Sequence, residues 1–378
     1  MEKISLIATS TFGLEAVVKR ELKNLGIEEM NVSDGSIEFK APISMIPVLN
    51  INLRSADRIL LVMGKFKAFS FEELFENTKK LPWGDILPID AHFIVTGKSI
   101  KSTLYSVPDC QSIVEKAIVE KLKLKYKVNW FEKSGAVYKI QVAILKDTVT
   151  LTIDTSGAAL HKRGYRDSQV IAPLKETMAA AMIDLSYWNK DRLLLDPCCG
   201  SGTIPIEAAM LAKNIAPGLG RSFVCEDWGL IDNAYWKNAR KEAFSNIKTD
   251  ITPEILASDI DPKAIEIAQR NAENAGVDDC IKFKNIPFNQ TKLTKDYGVC
   301  ISNPPYAERM GVLSEVEQLY KDMGRIFRAN KTWSVYIITS HEGFEGLYGR
   351  KADKKRKLFN GNVKIDYYQY YGARPPKK

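Results

Sequence analysis

Histidine is scarce in this sequence, cysteine is unpatterned, and long hydrophobic runs are missing. The longest stretch without Asp, Glu, Lys or Arg runs from Ala41 to Leu53, and two prolines interrupt it. A membrane-spanning helix needs roughly 20 apolar residues, so the sequence offers no candidate for one. The N-terminal segment meets Glu15 and Lys19 too soon for a secretory leader and lacks a cleavage pattern, which predicts a cytoplasmic protein. The six cysteines, Cys110, Cys198, Cys199, Cys225, Cys280 and Cys300, form no C-x-x-C pair. With His92, His161 and His341 the only histidines, no metal-ligand pattern can be drawn and no Ser/His/Asp arrangement stands out. The expectation is free thiols in a reducing compartment and a reaction that needs no metal.

What is present is an ordinary globular composition over 378 residues, 45% hydrophobic and 26% charged. At about 150 residues per domain, that length suggests two or three domains. The net charge of +8 is unevenly placed: residues 101–150 contribute +4 and residues 351–378 contribute +7, so the remainder carries −3. Two local basic concentrations point to a polyanion such as nucleic acid, although two solvated lysine-rich faces would read the same way.

Patterning divides the chain. Residues 1–55 read as strand, helix, strand, helix, with Ile4–Ala8 apolar, Leu14, Val17, Val18 and Leu22 at helical spacing, and a turn at Asp34-Gly35. Residues 56–155 are again mixed, with helices over Phe71–Thr78 and Ser112–Leu124 and a hairpin turning at Lys146-Asp147. Residues 156–170 form a Gly- and Arg-bearing connector. From 171 to 378 strands and helices alternate as in a doubly wound α/β sheet: strands Arg192–Asp196, Glu254–Asp259, Gly298–Ser302 and Val335–Thr339, helices Thr203–Lys213, Pro262–Ala275 and Ser314–Ala329. Asn362–Tyr371 alternates like an edge strand.

Three constellations sit where strands of that sheet end. Asp196-Pro-Cys198-Cys-Gly200-Ser-Gly202-Thr203 joins a strand to a helix, and its glycines let the backbone approach a ligand closely. It is not the dinucleotide fingerprint, because Pro205 stands where the third glycine belongs. At the end of the next strand, Asp259 is placed to accept hydrogen bonds from ribose hydroxyls, while Asp261 before Pro262 reads mainly as a helix cap. The third and most specific is Ser302-Asn303-Pro304-Pro305-Tyr306. Its prolines stiffen the loop, leaving outward carbonyls; Asn303 adds an acceptor and Tyr306 a flat face, a combination suited to a planar group bearing an NH2.

These motifs resemble the class I S-adenosylmethionine-dependent methyltransferases that modify exocyclic amino groups. With Leu160–Arg166, Ala172–Thr177, Ile206–Ala212 and Ala216–Leu219, the chain resembles the bacterial 23S rRNA guanine-N(2)-methyltransferase family, in its form with one methyltransferase domain. The resemblance covers essentially the whole chain and is strongest from Leu160 to Glu308. It implies a Rossmann-like class I methyltransferase sheet at 171–378, preceded by an α+β module: a ferredoxin-like unit at 1–55 and a THUMP RNA-binding domain at 56–155. It further implies that Asp196, Cys198, Gly200, Gly202, Thr203, Asp259 and Asp261 surround S-adenosylmethionine, and that Asn303, Pro304, Pro305 and Tyr306 hold the target base. The family's acidic adenine contact is missing after the strand Ile281–Lys284, leaving Asn289 or a backbone amide for that place. Lys116, Lys121, Lys123, Lys125, Lys127, Arg163 and Arg166 are the expected phosphate contacts of 23S rRNA or a large-subunit assembly intermediate. Glu308 and Arg309 are placed to shape the base pocket or to pair at the surface. The same loop chemistry also serves adenine-N(6) methylation of DNA or RNA and glutamine methylation of proteins. A non-catalytic RNA-binding assembly factor is the remaining alternative.

Overall fold

The computed structural model describes residues 3–166, 174–306, 313–360 and 363–376. Two seven-stranded sheets organise them. The first contains β1 (Lys3–Ser10), β2 (Met30–Ser33), β3 (Ser36–Pro42), β4 (Ala56–Lys67), β5 (His92–Ile100), β6 (Val137–Leu145) and β7 (Thr148–Asp154). Their order is β2-β3-β1-β4-β7-β6-β5, antiparallel except for β5 beside β6. Helices α1 (Glu15–Asn24), α2 (Met45–Asn52), α3 (Phe71–Lys80), α4 (Trp83–Ile86) and α5 (Val107–Tyr126) accompany it. Side chains alternate across the sheet as the pleat requires. On β6, Tyr138, Ile140, Val142 and Ile144 are buried, whereas Lys139 between them is exposed. The opposite face stays open enough to leave Ile94, Ile100 and Leu145 exposed.

The twelve-residue β4 pairs with β1 along one edge and β7 along the other. The first two sequence segments therefore share one continuous sheet. α5 is also longer than its apolar spacing predicts: Pro108 starts it in the first turn, where its missing N–H costs nothing, and it runs until Lys127 turns left-handed.

The second sheet contains β8 (Leu194–Asp196), β9 (Ile255–Asp259), β10 (Ile281–Asn285), β11 (Val299–Ser302), β12 (Ser334–Thr339), β13 (Lys354–Asn360) and β14 (Val363–Tyr370). Helices α6 (Glu176–Asp184), α7 (Thr203–Ala212), α8 (Asn233–Ser245), α9 (Pro262–Asn274), α10 (Leu313–Ala329) and α11 (Phe344–Tyr348) belong to this half of the chain. The order is β10-β9-β8-β11-β12-β14-β13, with β10 through β12 parallel and the last two strands antiparallel. One expectation is corrected here. β14 is not an edge strand: Tyr367, Tyr368, Gln369 and Tyr370 are all buried, as in a strand covered on both faces. The lysine-rich run before it forms β13 and takes the edge, where charge discourages pairing with other chains.

The two halves are cross-braced. The α7–β9 connection reaches back to the first module, where Trp228 stacks on Tyr138 with ring centroids 4.6 Å apart and Phe223 stacks on Trp236. In the other direction, Leu14 and Val17 from the start of α1 join the core of the second sheet with Leu358 and Tyr367. No described helix is long and apolar enough to cross a membrane.

Candidate active site

β9, β8 and β11 lie side by side and parallel, so Asp259, Asp196 and Ser302 finish on one edge of the sheet. Strand order reverses at β8, and the crevice at such a switch point is where open α/β sheets bind ligands. The loop after β8 is built on two left-handed glycines, Gly200 (φ +51°) and Gly202 (φ +83°). A Cβ on Gly202 would come within 3.0 Å of the Ala268 Cβ, so glycine lets α7 pack against α9. A Cβ on Gly200 would instead project into open space, as over a ligand cradle.

Asp259 pins this loop. Its Oδ2 accepts from the Gly200 amide at 2.9 Å and its Oδ1 from the Asp261 amide at 3.0 Å. Each carboxylate oxygen retains a further lone pair for a ligand hydroxyl. Asp261 caps α9 through Lys263 N at 2.9 Å, in keeping with the reading of it mainly as a cap. The exposed Asn289 lies in a short turn after β10. Sequence reasoning missed its neighbour Asn285, whose Nδ2 donates to the carbonyls of Asp259 and Ile260 at 3.0 and 2.9 Å. It also missed Ile260, an isoleucine 72% exposed beside Asp259. An apolar side chain turned outward between two aspartates was the available signal.

Asp196 is fully buried, and its Oδ1 accepts from the Ser302 hydroxyl at 2.8 Å and the Cys198 amide at 3.3 Å. Burial pushes its carboxyl up to about 7, with these two bonds pulling the other way and the Asp259 charge adding to the rise. Ser302, which the sequence motif includes without giving it a role, therefore couples the loop after β8 to the loop after β11. The half-buried Cys198 has its thiol pushed up by burial and stays protonated. Thr203 opens α7 with its side chain buried and its hydroxyl accepting from Arg166 Nη2 at 2.9 Å, which leaves its backbone amide as the group facing the loop's ligand side.

In the loop after β11, Pro304 is buried and Pro305 exposed. The Tyr320 hydroxyl holds the loop by donating to Pro305 O at 3.0 Å, with Thr339 Oγ1 2.9 Å away on its other side. The Tyr306 hydroxyl donates to Asn303 Oδ1 at 2.5 Å, and its ring is half-buried against the core of the second sheet. The expected free stacking face is thus partly covered, and the hydroxyl orients the Asn303 amide. Glu308 and Arg309 lie outside the described residues.

The expected phosphate contacts divide. Arg163 is corrected: its guanidinium is buried and paired with buried Glu207, whose Oε1 also accepts from the Tyr165 hydroxyl at 3.2 Å. Arg166 is likewise turned inward, onto Glu176 at 3.0 Å and onto Thr203. Arg163 reaches both modules, donating to the Arg54 carbonyl as well as to Glu207, whereas the described partners of Arg166 all belong to the second. The lysines of α5 are at the surface or partly so. Lys123 pairs with Glu120, Lys125 with Asp85, and Lys116 lies 6.0 Å from the centre of the Phe75 ring; Lys121 is half-buried and Lys127 exposed.

Three family descriptions match the chain in order: RlmL ferredoxin-like domain at residues 5–60, THUMP domain at 68–154, and RMKL-like, methyltransferase domain at 163–369. The chain is 51% identical to "Putative RNA methyltransferase YpsC" of Bacillus subtilis (strain 168) over 381 residues, covering 100% of this chain and 99% of that protein. Among solved structures it resembles a predicted N6-adenine-specific DNA methylase from Listeria monocytogenes str. 4b F2365, with a TM-score of 0.94, 50% identity, and coverage of 99% of this chain and 97% of that one. It is equally similar in fold, TM-score 0.94, to "SMU.472, a putative methyltransferase complexed with SAH", at 45% identity and full coverage of both chains.

Proposed function

This chain belongs to the RMKL-like methyltransferase family, with an RlmL-type ferredoxin-like domain and a THUMP domain ahead of its catalytic domain; it is an S-adenosylmethionine-dependent RNA methyltransferase, and we propose that its target is the N2 amino group of a guanine in 23S rRNA. The observation that carries this reading is the Asp196–Ser302 hydrogen bond, which couples the glycine loop to the Asn303–Tyr306 loop. Guanine and 23S rRNA come from the family resemblance of the sequence motifs.

The residues present fit S-adenosylmethionine: the space above Gly200 is open, and the Asp259 carboxylate is oriented by two backbone amides with acceptor capacity left over. When bound, that group supplies an activated methyl on a sulfonium. Gly200, Gly202 and the first turn of α7 would hold its amino-acid end, with Asp196 bracing the loop through the Cys198 amide. Asp259 would take the ribose hydroxyls, and Ile260 would offer an apolar face to the adenine.

The acceptor nitrogen is a weak nucleophile because its lone pair is delocalised into the base. Asn303 Oδ1 has one lone pair engaged by Tyr306 and one available. That second lone pair and the Pro304 carbonyl accept the two amine hydrogens and favour a pyramidal nitrogen with its lone pair free to attack. Correct alignment alone can lower a barrier by roughly 7–11 kcal/mol. A guanine in a paired helix has to leave its stack to reach this loop.

The test is methylation of unmodified rRNA with labelled S-adenosylmethionine, followed by digestion to nucleosides and mass spectrometry. N(2)-methylguanosine is the expected product. N(6)-methyladenine, the chemistry named for the Listeria relative, would keep the loop's role and overturn the base.

A further inference from the structure

Two exposed phenylalanines meet at the seam between the modules, and methyl transfer uses neither. Phe12, in the loop between β1 and α1, is 48% exposed; Phe359, on edge strand β13, is 36% exposed. Their centroids are 5.8 Å apart at 72°, an edge contact that covers less of the ring faces than stacking does. Backbone contacts hold the pair in place from both sides. Arg356 Nη1 donates to Gly13 O at 3.1 Å, and a Cβ at Gly13 (φ +89°) would come within 2.8 Å of Lys357 O. The rings are therefore fixed to one another while remaining open to solvent.

Cations stand on both sides of them, among a few carboxylates that are already engaged or set apart. Both rings line a hollow of about 550 Å³ with Thr11, Asp57 and Lys175. Its carboxylate, Asp57, already accepts from the Thr177 hydroxyl at 3.2 Å. Phe12 also borders a second hollow of about 690 Å³ on the open sheet face, where Arg58 is paired with Asp154 and Asp34 stands at the rim, and where Lys98 and Lys139 supply the remaining cations. Lys357 is exposed two residues before Phe359, and so shares its side of β13. A ring pair that served only to seal the seam would be buried. Exposed aromatic rings flanked by cations are instead what single-stranded nucleic acid requires, flat faces for bases and charges for phosphates.

We propose that Phe12 and Phe359 form a stacking platform for an unpaired nucleotide of the RNA, with Lys175 and Lys357 meeting the phosphates on either side of it. This rests on RNA being the substrate. The platform lies on the path from the open face of the first sheet to α6, the helix that packs on α7 behind the cofactor loop.

The experiment measures binding of a short oligouridylate to the full chain by anisotropy across a salt series, beside S-adenosylmethionine affinity and rRNA methylation. Phe12→Ala and Phe359→Ala should each weaken oligonucleotide binding roughly 5- to 150-fold and leave its salt slope unchanged. Lys175→Gln should lower that slope by about 0.7. Phe359→Trp keeps a stacking ring, so it should retain affinity and show fluorescence quenching by the oligonucleotide beyond that of the parent's six tryptophans. Alanine variants that bind the cofactor normally and hold RNA like the parent would overturn the platform, as would an unquenched Trp variant. Loss of self-association in those variants, with RNA binding intact, would also overturn it by making the pair a contact between copies. In these cases the parent still methylates rRNA and the function stands; a parent chain that neither binds nor methylates RNA would remove the function first and the platform with it.

Discussion

The two sheets have equal strand counts and use them differently. In the second, β9, β8 and β11 run parallel, so three strand ends converge on one edge and each delivers a polar side chain there. In the first, all neighbours but β5 and β6 are antiparallel and send their ends to opposite edges, and what the sheet presents is a face, with Lys65 of β4 and Lys139 of β6 on exposed positions of it. Strand direction thus decides whether a sheet concentrates chemistry at a point or spreads charge over a surface. This protein joins one of each through a connector whose Arg163 is buried against Glu207.

That joint offers the most disruptive way to break the comparison. Glu207→Gln would leave the Arg163 guanidinium buried without its counter-ion, which costs about 3–5 kcal/mol. Because the two cores are cross-braced, denaturant unfolding should show the loss in one transition for both modules. Separate transitions would make the modules independent.

Asp259→Ala should act on the edge alone. Losing a charged hydrogen-bond partner costs roughly 1.5–3 kcal/mol, so cofactor affinity by calorimetry should fall about 10- to 150-fold with RNA affinity unchanged.

Asp196 gives a pH signature. Folding raises its carboxyl pKa from 3.8 to about 7, so its contribution to stability is fully present below about pH 4 and is lost as pH rises through 7. Asp196→Asn removes that slope, and the melting-temperature difference between parent and variant should shift by a few degrees in the variant's favour between pH 4 and pH 7. Half-buried His161, held down at about 4 by desolvation and the cations around it, slopes the opposite way below pH 6.5, but it is common to both proteins and cancels.

The smallest effects lie on α5. Lys121→Gln and Lys127→Gln should each reduce the salt slope of RNA binding by about 0.7, measured by titration at several salt concentrations. Lys123→Gln should do less, because Lys123 already pairs with Glu120.

Much of the second sheet was legible because its chemistry is local. Asp196, Gly200, Gly202, Asp259 and Asn303 each stand next to a strand end, where sequence order fixes spatial order. The hairpin of β6 and β7 was also readable to the residue. Long-range partners were not. Nothing near Arg163 reveals that Glu207 will bury it, and a lysine-rich run gives no sign that β14 will recruit it as an edge. Ser302 stood in the motif without a role because its value depends on Asp196, which is 106 residues away in the chain.

The central claim is that the edge of the second sheet performs the transfer and the rest of the molecule delivers the RNA. Measuring S-adenosylmethionine affinity, RNA affinity and methyl transfer together for Asn303→Ala tests it most directly. The account predicts transfer lower by about 10²–10³, as for removal of one preorganised hydrogen-bond group, with both affinities nearly unchanged. Transfer at the parent rate, or a loss of cofactor binding that explains the whole defect, would contradict it.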